Sequence, residues 1–286
     1  MDQRVSAKPQ AKAVPRPKSA KAKKRPPTYA QLMKAAKDLV PLIEAEADQA
    51  EKLYHLTDKV VSAERKCGLT SFMIPKALGG SELRWVDGMR IVETLSYADG
   101  STGWCLMVNG VMGASAGAHL PAKGAKKIYP KADVSMAGHG VPRGLAKPVD
   151  GGYLITGNWG YGSTIWHAEW IHTGCFLSDD LKTMKLDKHG HPIVILAHHP
   201  RNTIELKGNW DVLGLRGTGS YDYVVKGGKP LFVPEETCYP FDNPPIERGG
   251  IQYEAGLVVS TSWGHTSWAL GVETGTSARP GGRGSR

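Results

Sequence analysis

Cysteine is scarce in this sequence, which has four among its 286 residues. Cys67, Cys105, Cys175 and Cys238 are far apart, and no two of them form a CxxC pair. Structural zinc sites and disulfide-rich scaffolds need closely spaced cysteines. The spacing therefore predicts reduced thiols, no metal site and a cytoplasmic location.

Long apolar runs are missing as well. The N-terminus has no hydrophobic segment of the secretory-signal kind, and no run has the length and hydrophobicity of a membrane span. The most apolar stretch, residues 101–120, contains several glycines together with Asn109 and His119. This composition favours a buried helix with close neighbours, so we expect no membrane association.

Three common catalytic motifs are absent. No GxGxxG follows a predicted strand, and the sequence has neither a P-loop nor a GxSxG. A classical nucleotide fold and an α/β-hydrolase therefore have no support. A group of histidines lacks the helical spacing and neighbouring cysteines of a metal site, so we interpret its members as surface strand and turn residues. The group comprises His189, His191, His198 and His199.

The basic charge lies at the two ends of the chain. Of the net charge of +9, residues 1–27 carry +8 and residues 273–286 carry +2, which leaves −1 for residues 28–272. The first segment, rich in Lys, Ala and Pro, has too few apolar side chains to form a core and is predicted to be disordered. A solvated tail explains it more simply than a phosphate-binding one, so we do not expect nucleic-acid binding.

Helical patterns dominate residues 28–130. Thr28 and Gln31 fit a capping box before the first helix, and Pro41 is expected to kink that helix. Ser101 is expected to cap the fourth helix. The helices predicted after the first are residues 57–67, 86–97, 101–120 and 121–129.

Short β-prone runs dominate the chain after residue 134. They are separated by Gly, Pro, Asp and Asn, a spacing that predicts a compact antiparallel sheet or barrel. The segments Asp150-Gly151-Gly152 and Gly157-Asn158 are interpreted as turns. Helices followed by strands predict an α+β fold with segregated layers. The predicted strands are Tyr153–Thr156, Trp170–Phe176, Ile193–Ala197, Thr203–Leu206 and Tyr221–Val225.

The stretch DGGYLITGNWGYGSTIWHAEW, residues 150–170, combines aromatic residues with glycines. Trp159, Tyr161 and Trp166 supply ring-shaped surfaces, and the glycines between them let backbone groups approach a ligand closely. This mixture suits a flat conjugated ligand. A β-hairpin that packs its aromatic residues into an ordinary core is the alternative interpretation.

Four segments resemble the acyl-CoA dehydrogenase superfamily. The resemblance is greatest to its flavin-dependent monooxygenase branch, the oxygenase components of two-component aromatic hydroxylases. LTDKVVSAERKCGLTSFMIPKALGG resembles the family's N-terminal helix pair, and ADGSTGWCL a helix start of the monooxygenase branch. AGHGVPRGLAKPVDGGYLITGNWGYGSTIWHAEW resembles the first flavin-contacting strands, and WDVLGLRGTGSYDYVV followed by LFVPEE a later loop and strand. Together the four motifs are far more specific than any one of them.

The resemblance covers residues 28–272 and implies three structural parts. An N-terminal helical domain would span residues 28–130, a middle flavin-contacting β-barrel residues 131–248, and the start of a C-terminal four-helix bundle residues 249–272. The last segment, residues 273–286, reads ETGTSARPGGRGSR, and we expect it not to continue the bundle helix. The bundle is therefore expected to be truncated.

The same resemblance implies a site for FAD or FMN. Ser163 would direct its hydroxyl toward flavin N5, and Tyr161 would pack beside the isoalloxazine where the dehydrogenases have tryptophan. Gly138, His139 and Gly140 match the strand whose backbone groups contact the pyrimidine edge. Ser163 and His139 are the expected catalytic residues; alternatively, Ser163 bonds its local backbone and His139 is a half-buried structural residue.

Three further residues complete the predicted site. Trp159 is expected to contact the cofactor. Arg216, on the loop that also carries Ser220, either holds a flavin phosphate or an anionic substrate, or fixes its own loop. His265 lies in the last matching helix, where it either faces the flavin or lies on the helix surface.

The resemblance implies an oxidoreductase, and the monooxygenase branch implies its reaction. Reduced flavin from a flavin reductase, together with O2, would hydroxylate a small aromatic or heteroaromatic compound in a homotetramer. One alternative is an acyl-CoA dehydrogenase, which desaturates an acyl-CoA with FAD and needs a carboxylate base. Another is a truncated remnant without catalytic activity.

Overall fold

The structure is a computed structural model that describes residues 25–278. Helices form one layer and an eight-stranded sheet forms the other, so the predicted α+β order is confirmed. Disorder was predicted for residues 1–27, of which residues 1–24 lie outside the described part. Residues 279–286 also lie outside it.

Six α-helices occur in the described part of the chain, and sequence patterns predicted the first five. Thr28 and Gln31 form the predicted capping box. Pro41 lies inside the first helix, which continues for twelve residues beyond it. The helices are α1 (Tyr29–Leu53), α2 (Asp58–Cys67), α3 (Trp85–Ala98), α4 (Gly100–His119), α5 (Ala122–Ile128) and α6 (Gly256–Ala278).

The caps of α2 are as predicted, whereas the N-terminal cap of α4 is not. Thr57 caps α2 and Gly68 ends it with a φ of +86°, both as predicted. At α4 the predicted cap, Ser101, is wrong. Asp99 caps this helix, because its carboxylate accepts a hydrogen bond from the Thr102 backbone N–H at 2.7 Å. Ser101 instead lies in the first turn.

The apolar helix α4 lies at the centre of the helical layer. Most of its residues are buried, which confirms the prediction of a buried helix with close neighbours. Its glycines explain how neighbours come so close: a Cβ on Gly110 would lie 2.4 Å from the ring of Phe72. None of the helices within residues 25–278 combines the length and hydropathy needed to cross a membrane.

The sheet has the strand order β5-β6-β2-β1-β3-β4-β8, and β7 also pairs with β2. All neighbours are antiparallel except β1 and β3, so the fully antiparallel sheet that we predicted is wrong for this pair. The chain reverses direction after β1 and again after β2, so β3 runs in the same direction as β1. Because β3 pairs with the other edge of β1, this pair is parallel. The strands are β1 (Met136–Val149), β2 (Gly152–Gly162), β3 (Trp170–Leu177), β4 (Val194–Pro200), β5 (Ile204–Leu206), β6 (Tyr221–Val225), β7 (Leu231–Pro234) and β8 (Cys238–Pro240).

The hairpin between β1 and β2 tests the two predicted turns. Gly151, with a φ of +72°, makes the first turn as predicted. The second turn is wrong, because Gly157 and Asn158 lie inside β2. A Cβ on Gly157 would lie 2.8 Å from the indole of Trp159. The glycine is therefore needed for the packing of that side chain.

The last helix, α6, packs against α3 and α4 and carries one wall of the site described below. It continues to Ala278, so the expectation that no helix follows Val272 is wrong. Close backbone packing explains this result. A Cβ on Gly271 would lie 2.4 Å from the Glu93 carbonyl oxygen, and one on Gly275 would lie 2.6 Å from that of Tyr97. Tertiary contacts here outweigh the low helix propensity of glycine.

Candidate active site

A cavity of about 670 Å³ lies between the helical layer and the sheet. Helices α4 and α6 form one wall, and β1 together with the end of β2 forms the other. Most of the lining is apolar, and a few polar groups converge on it, an arrangement typical of small-molecule sites. Several residues predicted from the sequence meet here: Ser163, Tyr161, Gly138, His139, Gly140, Ser220 and His265.

Ser163 is buried and lines the cavity, with its hydroxyl held by two side chains. The indole N–H of Trp104 donates to Ser163 Oγ at 2.9 Å. The hydroxyl of Ser220 lies 2.7 Å from the same oxygen. Ser163 is therefore fixed toward α4 instead of bonding only its own turn. No local sequence pattern indicates the Trp104 contact, because it joins residues 59 positions apart.

A chain of hydroxyl groups fixes the direction of these hydrogen bonds. Thr218 donates to the Leu215 carbonyl at 2.8 Å, so its only hydroxyl hydrogen is committed. Ser220, at 2.6 Å, must therefore donate to Thr218. Ser163 must in turn donate to Ser220, and it accepts from Trp104. One lone pair of Ser163 Oγ is left, so toward the cavity Ser163 offers an acceptor.

The backbone at the end of β2 turns Ser163 toward the helices. Tyr161 and Thr164 both have positive φ, +57° and +61°. The Thr164 N–H donates to the Thr218 carbonyl at 2.9 Å, which ties this turn to the loop that carries the hydroxyl chain. Such left-handed residues are uncommon outside glycine and are often found at functional sites.

The first part of β1 supplies a wall with little side-chain bulk. A Cβ on Gly138, whose φ is +125°, would lie 2.1 Å from the His172 carbonyl oxygen. A Cβ on Gly140 would lie 2.7 Å from Leu257. Only glycine fits at Gly138, whereas a side chain at Gly140 would require Leu257 to shift, and a flat ligand can approach the backbone of β1 closely.

His139 lines the same wall and has a buried nitrogen that lacks a partner. Its Nδ1 makes no hydrogen bond to any described residue, while its backbone N–H donates to the Tyr223 hydroxyl at 3.2 Å. Burial, aided by the charge of Arg143, lowers the pKa of the imidazole below its usual 6.5. His139 is therefore neutral at pH 7, and Nδ1 is available to a ligand.

Aromatic rings border the open side of the cavity. Tyr161 is about half exposed and meets Trp210 edge-on, with ring centroids 6.2 Å apart. His265 lies parallel to Trp104 at 5.1 Å, and burial lowers its pKa. Of the two positions considered for His265, the structure places it on the cavity side of α6.

Trp159 does not reach the cavity, so its predicted contact with a cofactor is wrong. The side chain has no exposed surface and lies parallel to Tyr223 inside the sheet core, with ring centroids 5.5 Å apart. Its indole N–H donates to the Gly174 carbonyl at 2.8 Å. The alternative interpretation, an aromatic residue in an ordinary core, is correct for this residue. Trp166 also lies outside the cavity, where it stacks on His55.

Arg216 is likewise absent from the cavity lining, so the phosphate or substrate contact considered for it stays a prediction. Its guanidinium donates to the Asp211 carboxylate at 2.9 Å and to the Tyr54 hydroxyl at 2.7 Å. It also lies over the Tyr54 ring, 4.7 Å from the centroid. The Tyr54 contacts anchor the loop before Ser220 to the C-cap of α1, and the Asp211 contact ties the loop to itself. Of the two roles considered, the structure supports fixing the loop.

The four grouped histidines divide into two pairs. His189 and His191 lie in an exposed turn, as predicted. His198 and His199 lie on β4 and are buried, so the surface position predicted for them is wrong. Their ring nitrogens bond neighbouring strands: His199 Nε2 lies 3.0 Å from Thr173 Oγ1. Among residues 25–278, no group of three His, Cys, Asp or Glu side chains is arranged to hold a metal ion.

Comparison with known proteins agrees with this fold. Residues 29–129 match the family model of the acyl-CoA dehydrogenase N-terminal domain. The chain is 30% identical over 217 residues to an indole-3-acetate monooxygenase of Pseudomonas putida. This match covers 71% of this chain and 52% of that protein. It is also 30% identical over 238 residues to the flavin-dependent monooxygenase oxygenase subunit HsaA of Mycobacterium tuberculosis, with 82% and 57% covered.

The crystal structure of the HsaA monooxygenase from M. tuberculosis superposes with a TM-score of 0.78 at 25% identity, covering 88% of this chain and 65% of that one. The fold is thus that of the acyl-CoA dehydrogenases, with the cavity between its helical and β domains. The chain belongs to the acyl-CoA dehydrogenase superfamily, as its sequence motifs predicted. It spans about half the length of the curated relatives that it matches.

Proposed function

We propose that the chain is a flavin-dependent oxygenase component that hydroxylates a small aromatic or heteroaromatic compound with reduced flavin and O2. The observation that carries the proposal is the apolar cavity with the Ser163 hydroxyl fixed in its wall. The relatives are named flavin-dependent monooxygenase and indole-3-acetate monooxygenase, which supports the same class of reaction.

The residues of the cavity fit FAD or FMN in shape and in chemistry. Gly138 and Gly140 leave the β1 backbone open to a flat ring, and the volume of about 670 Å³ lies within the range of cofactor sites. His139 Nδ1 is a buried polar atom that needs a partner. Tyr161, at the edge of the cavity, supplies aromatic surface beside the ring. These residues and Ser163 would hold the flavin.

The polarity of Ser163 favours one redox state of the flavin. N5 of a reduced flavin carries a hydrogen, whereas N5 of an oxidised flavin has only a lone pair. Since the hydroxyl hydrogen of Ser163 is committed to Ser220, its free lone pair can accept from N5–H. The chain of hydroxyls that ends at the Leu215 carbonyl therefore selects the reduced form.

The chain's own residues prepare the site for the reaction. Bound reduced flavin supplies the two electrons that reduce O2, so that one oxygen atom enters the substrate and the other leaves as water. The apolar side chains of α4 and α6 exclude bulk water from the cavity. Trp104 and Ser220 hold Ser163 in one orientation, and neutral His139 and His265 can accept or release a proton at the substrate side.

The acyl-CoA dehydrogenase alternative lacks a group that it needs. Removal of an α-proton from an acyl thioester requires a carboxylate base within reach of the substrate. No Asp or Glu lines the cavity formed by the described residues. Histidine and hydroxyl groups alone suit hydroxylation better than desaturation.

The proposal is tested with the full chain, a flavin reductase, NADH, FMN or FAD, and a panel of phenols and indoles under air. We expect the protein to retain reduced flavin and to form a product heavier by one oxygen atom, detected by mass spectrometry with 18O2. Desaturation of an acyl-CoA would instead favour the alternative reaction. Failure to retain any flavin would overturn the proposal and favour the non-catalytic remnant.

Replacing Ser163 with alanine should weaken the binding of reduced flavin about 10-fold, because one buried hydrogen bond is lost. Replacing Ser220 with alanine should act differently. It frees the Ser163 hydrogen to donate, so the preference for reduced over oxidised flavin should shrink. Anaerobic titrations of both redox forms measure the ratio. An unchanged ratio in both variants would show that Ser163 does not face N5.

Assembly and location belong to the same proposal. A flavin reductase is the expected partner, because relatives are named as the oxygenase subunit or oxygenase component of flavin-dependent enzymes. We also propose a homotetramer and a cytoplasmic location, the latter from the widely spaced cysteines. Light scattering of the purified chain measures the assembly directly.

A further inference from the structure

A second buried histidine lies directly behind the β1 wall of the cavity. His172, on β3, has no exposed surface. Its strand runs parallel to β1, with His172 opposite Gly138. The sequence analysis did not single out His172, because nothing in its pattern separates it from a core residue.

Neighbouring groups fix the tautomer of His172. The Thr237 carbonyl can only accept, so His198 Nδ1, 3.0 Å away, must carry a hydrogen. In a neutral His198 the other nitrogen, Nε2, is then an acceptor. It lies 2.9 Å from His172 Nδ1, which must therefore donate. His172 Nε2 is left as a bare lone pair, and it has no hydrogen-bond partner in the described structure.

Both histidines remain neutral, as this chain of bonds requires. Burial lowers the pKa of His172 well below its usual 6.5, and the neighbouring His198 and His139 lower it further. Burial also lowers the pKa of His198, to about 4. His172 Nε2 is thus an acceptor throughout the range near pH 7. A buried acceptor without a donor is costly, which makes it a feature that needs a ligand or a water.

The free nitrogen lies behind Gly140, at the part of the cavity wall between β1 and α6, although His172 itself does not line the cavity. A Cβ on Gly140 would lie 3.4 Å from His172 Nε2 and 2.7 Å from Leu257 Cδ2. Gly140 and Leu257 both line the cavity. The missing side chain of Gly140 is what leaves His172 Nε2 next to this space. Leu257, in the first turn of α6, is the side chain that must shift to admit a ligand atom.

We propose that His172 Nε2 accepts a hydrogen bond from the substrate, and that the substrate is therefore an aromatic compound with a donor, a phenolic O–H or a heteroaromatic N–H. The proposal rests on the proposed function, since it uses the same cavity. The proposal narrows the substrate class to rings that carry a donor. If the donor is methylated, the same ring cannot bond His172 Nε2, and the buried nitrogen stays unpaired. A site built to bond a donor rejects such analogues strongly.

The test compares phenol with anisole, which has the same ring but cannot donate. Affinities for both are measured on the full chain by ligand-observed NMR, with and without reduced flavin. We expect wild type to prefer phenol by about 10-fold. His172→Phe, which keeps a ring but has no acceptor, should abolish the preference. His172→Gln, which keeps an acceptor, should retain part of it, and His189→Phe, at an exposed turn, should behave as wild type.

A second measurement needs no variant and so does not depend on how the substitutions fold. The 15N resonance of His172 Nε2 should move upfield when phenol binds and stay in place with anisole, because only phenol donates to that nitrogen. Equal effects of both ligands on the resonance, or an equal loss of affinity for both in His172→Phe, would overturn the proposal. Flavin retention is measured on the same samples. Loss of flavin binding with an intact phenol preference would overturn the proposed function and leave only the hydrogen bond from the ligand to His172 Nε2, so the two failures are distinguishable.

Discussion

Replacing Trp159 with alanine is expected to lower the free energy of unfolding by about 3 to 5 kcal/mol, among the largest effects for a single core substitution. The indole is fully buried, lies parallel to Tyr223 and donates to the Gly174 carbonyl. Gly144 on β1 and Gly157 on β2 lie against the indole, where a Cβ on either would overlap the ring. Loss of the indole therefore leaves a cavity that this rigid pair of strands cannot close.

Urea unfolding measures the effect, with Trp166→Ala as the matched control. Trp166 is a tryptophan of the same stretch but is about half exposed, so its replacement should cost less than about 1 kcal/mol. Reduced-flavin affinity of folded Trp159→Ala should match wild type. A variant of normal stability and weak flavin binding would restore Trp159 as a cofactor contact and contradict its place in the core.

The free energy of unfolding of the wild type is expected to fall as the pH rises from 4.5 to 8, and replacing Glu64 with glutamine is expected to remove this fall. Glu64, on α2, is buried, and its Oε1 has no hydrogen-bond partner among residues 25–278. Burial raises the pKa of this carboxyl from 4.5 to about 8. The folded protein thus holds Glu64 protonated at pH 7, whereas the unfolded chain ionises it.

The sign of the pH effect follows from the raised pKa. Below pH 4.5 both states are protonated and the folded state bears no penalty. Between pH 4.5 and 8 the unfolded state loses the proton first, so the folded state becomes relatively less stable, by about 3 kcal/mol at pH 7. Glu64→Gln cannot ionise, so its stability relative to wild type should rise over this range.

Denaturant unfolding at a series of pH values from 4.5 to 8 measures this difference. Glu254→Gln, at an exposed glutamate, is the control and should follow the wild-type curve. Parallel curves for wild type and Glu64→Gln would mean that Glu64 is ionised in the folded protein. The ionised carboxylate would then need a cationic partner, and residues 25–278 show no ion pair of Glu64.

Local signals predicted most of the secondary structure correctly. The capping box at Thr28 and the stop at Gly68 depend on contacts within four residues, which the sequence displays directly. The end of α6 was not predictable in this way. Gly271 and Gly275 are poor helix formers in isolation, and only the close backbone of α3 explains why they are helical.

The sequence by itself determined the helical first layer and the sheet that follows it, and its motifs predict that Ser163 and β1 belong to a flavin-type site. Only the tertiary structure decided which side chains of β2 face that site. Side chains alternate along a regular strand, but β2 changes register between Trp159 and Gly162, and Tyr161 adopts a positive φ. Alternation therefore cannot be extended from Trp159, in the core, to Ser163, at the cavity. The groups that orient Ser163 come from distant parts of the chain, and no local pattern records their meeting.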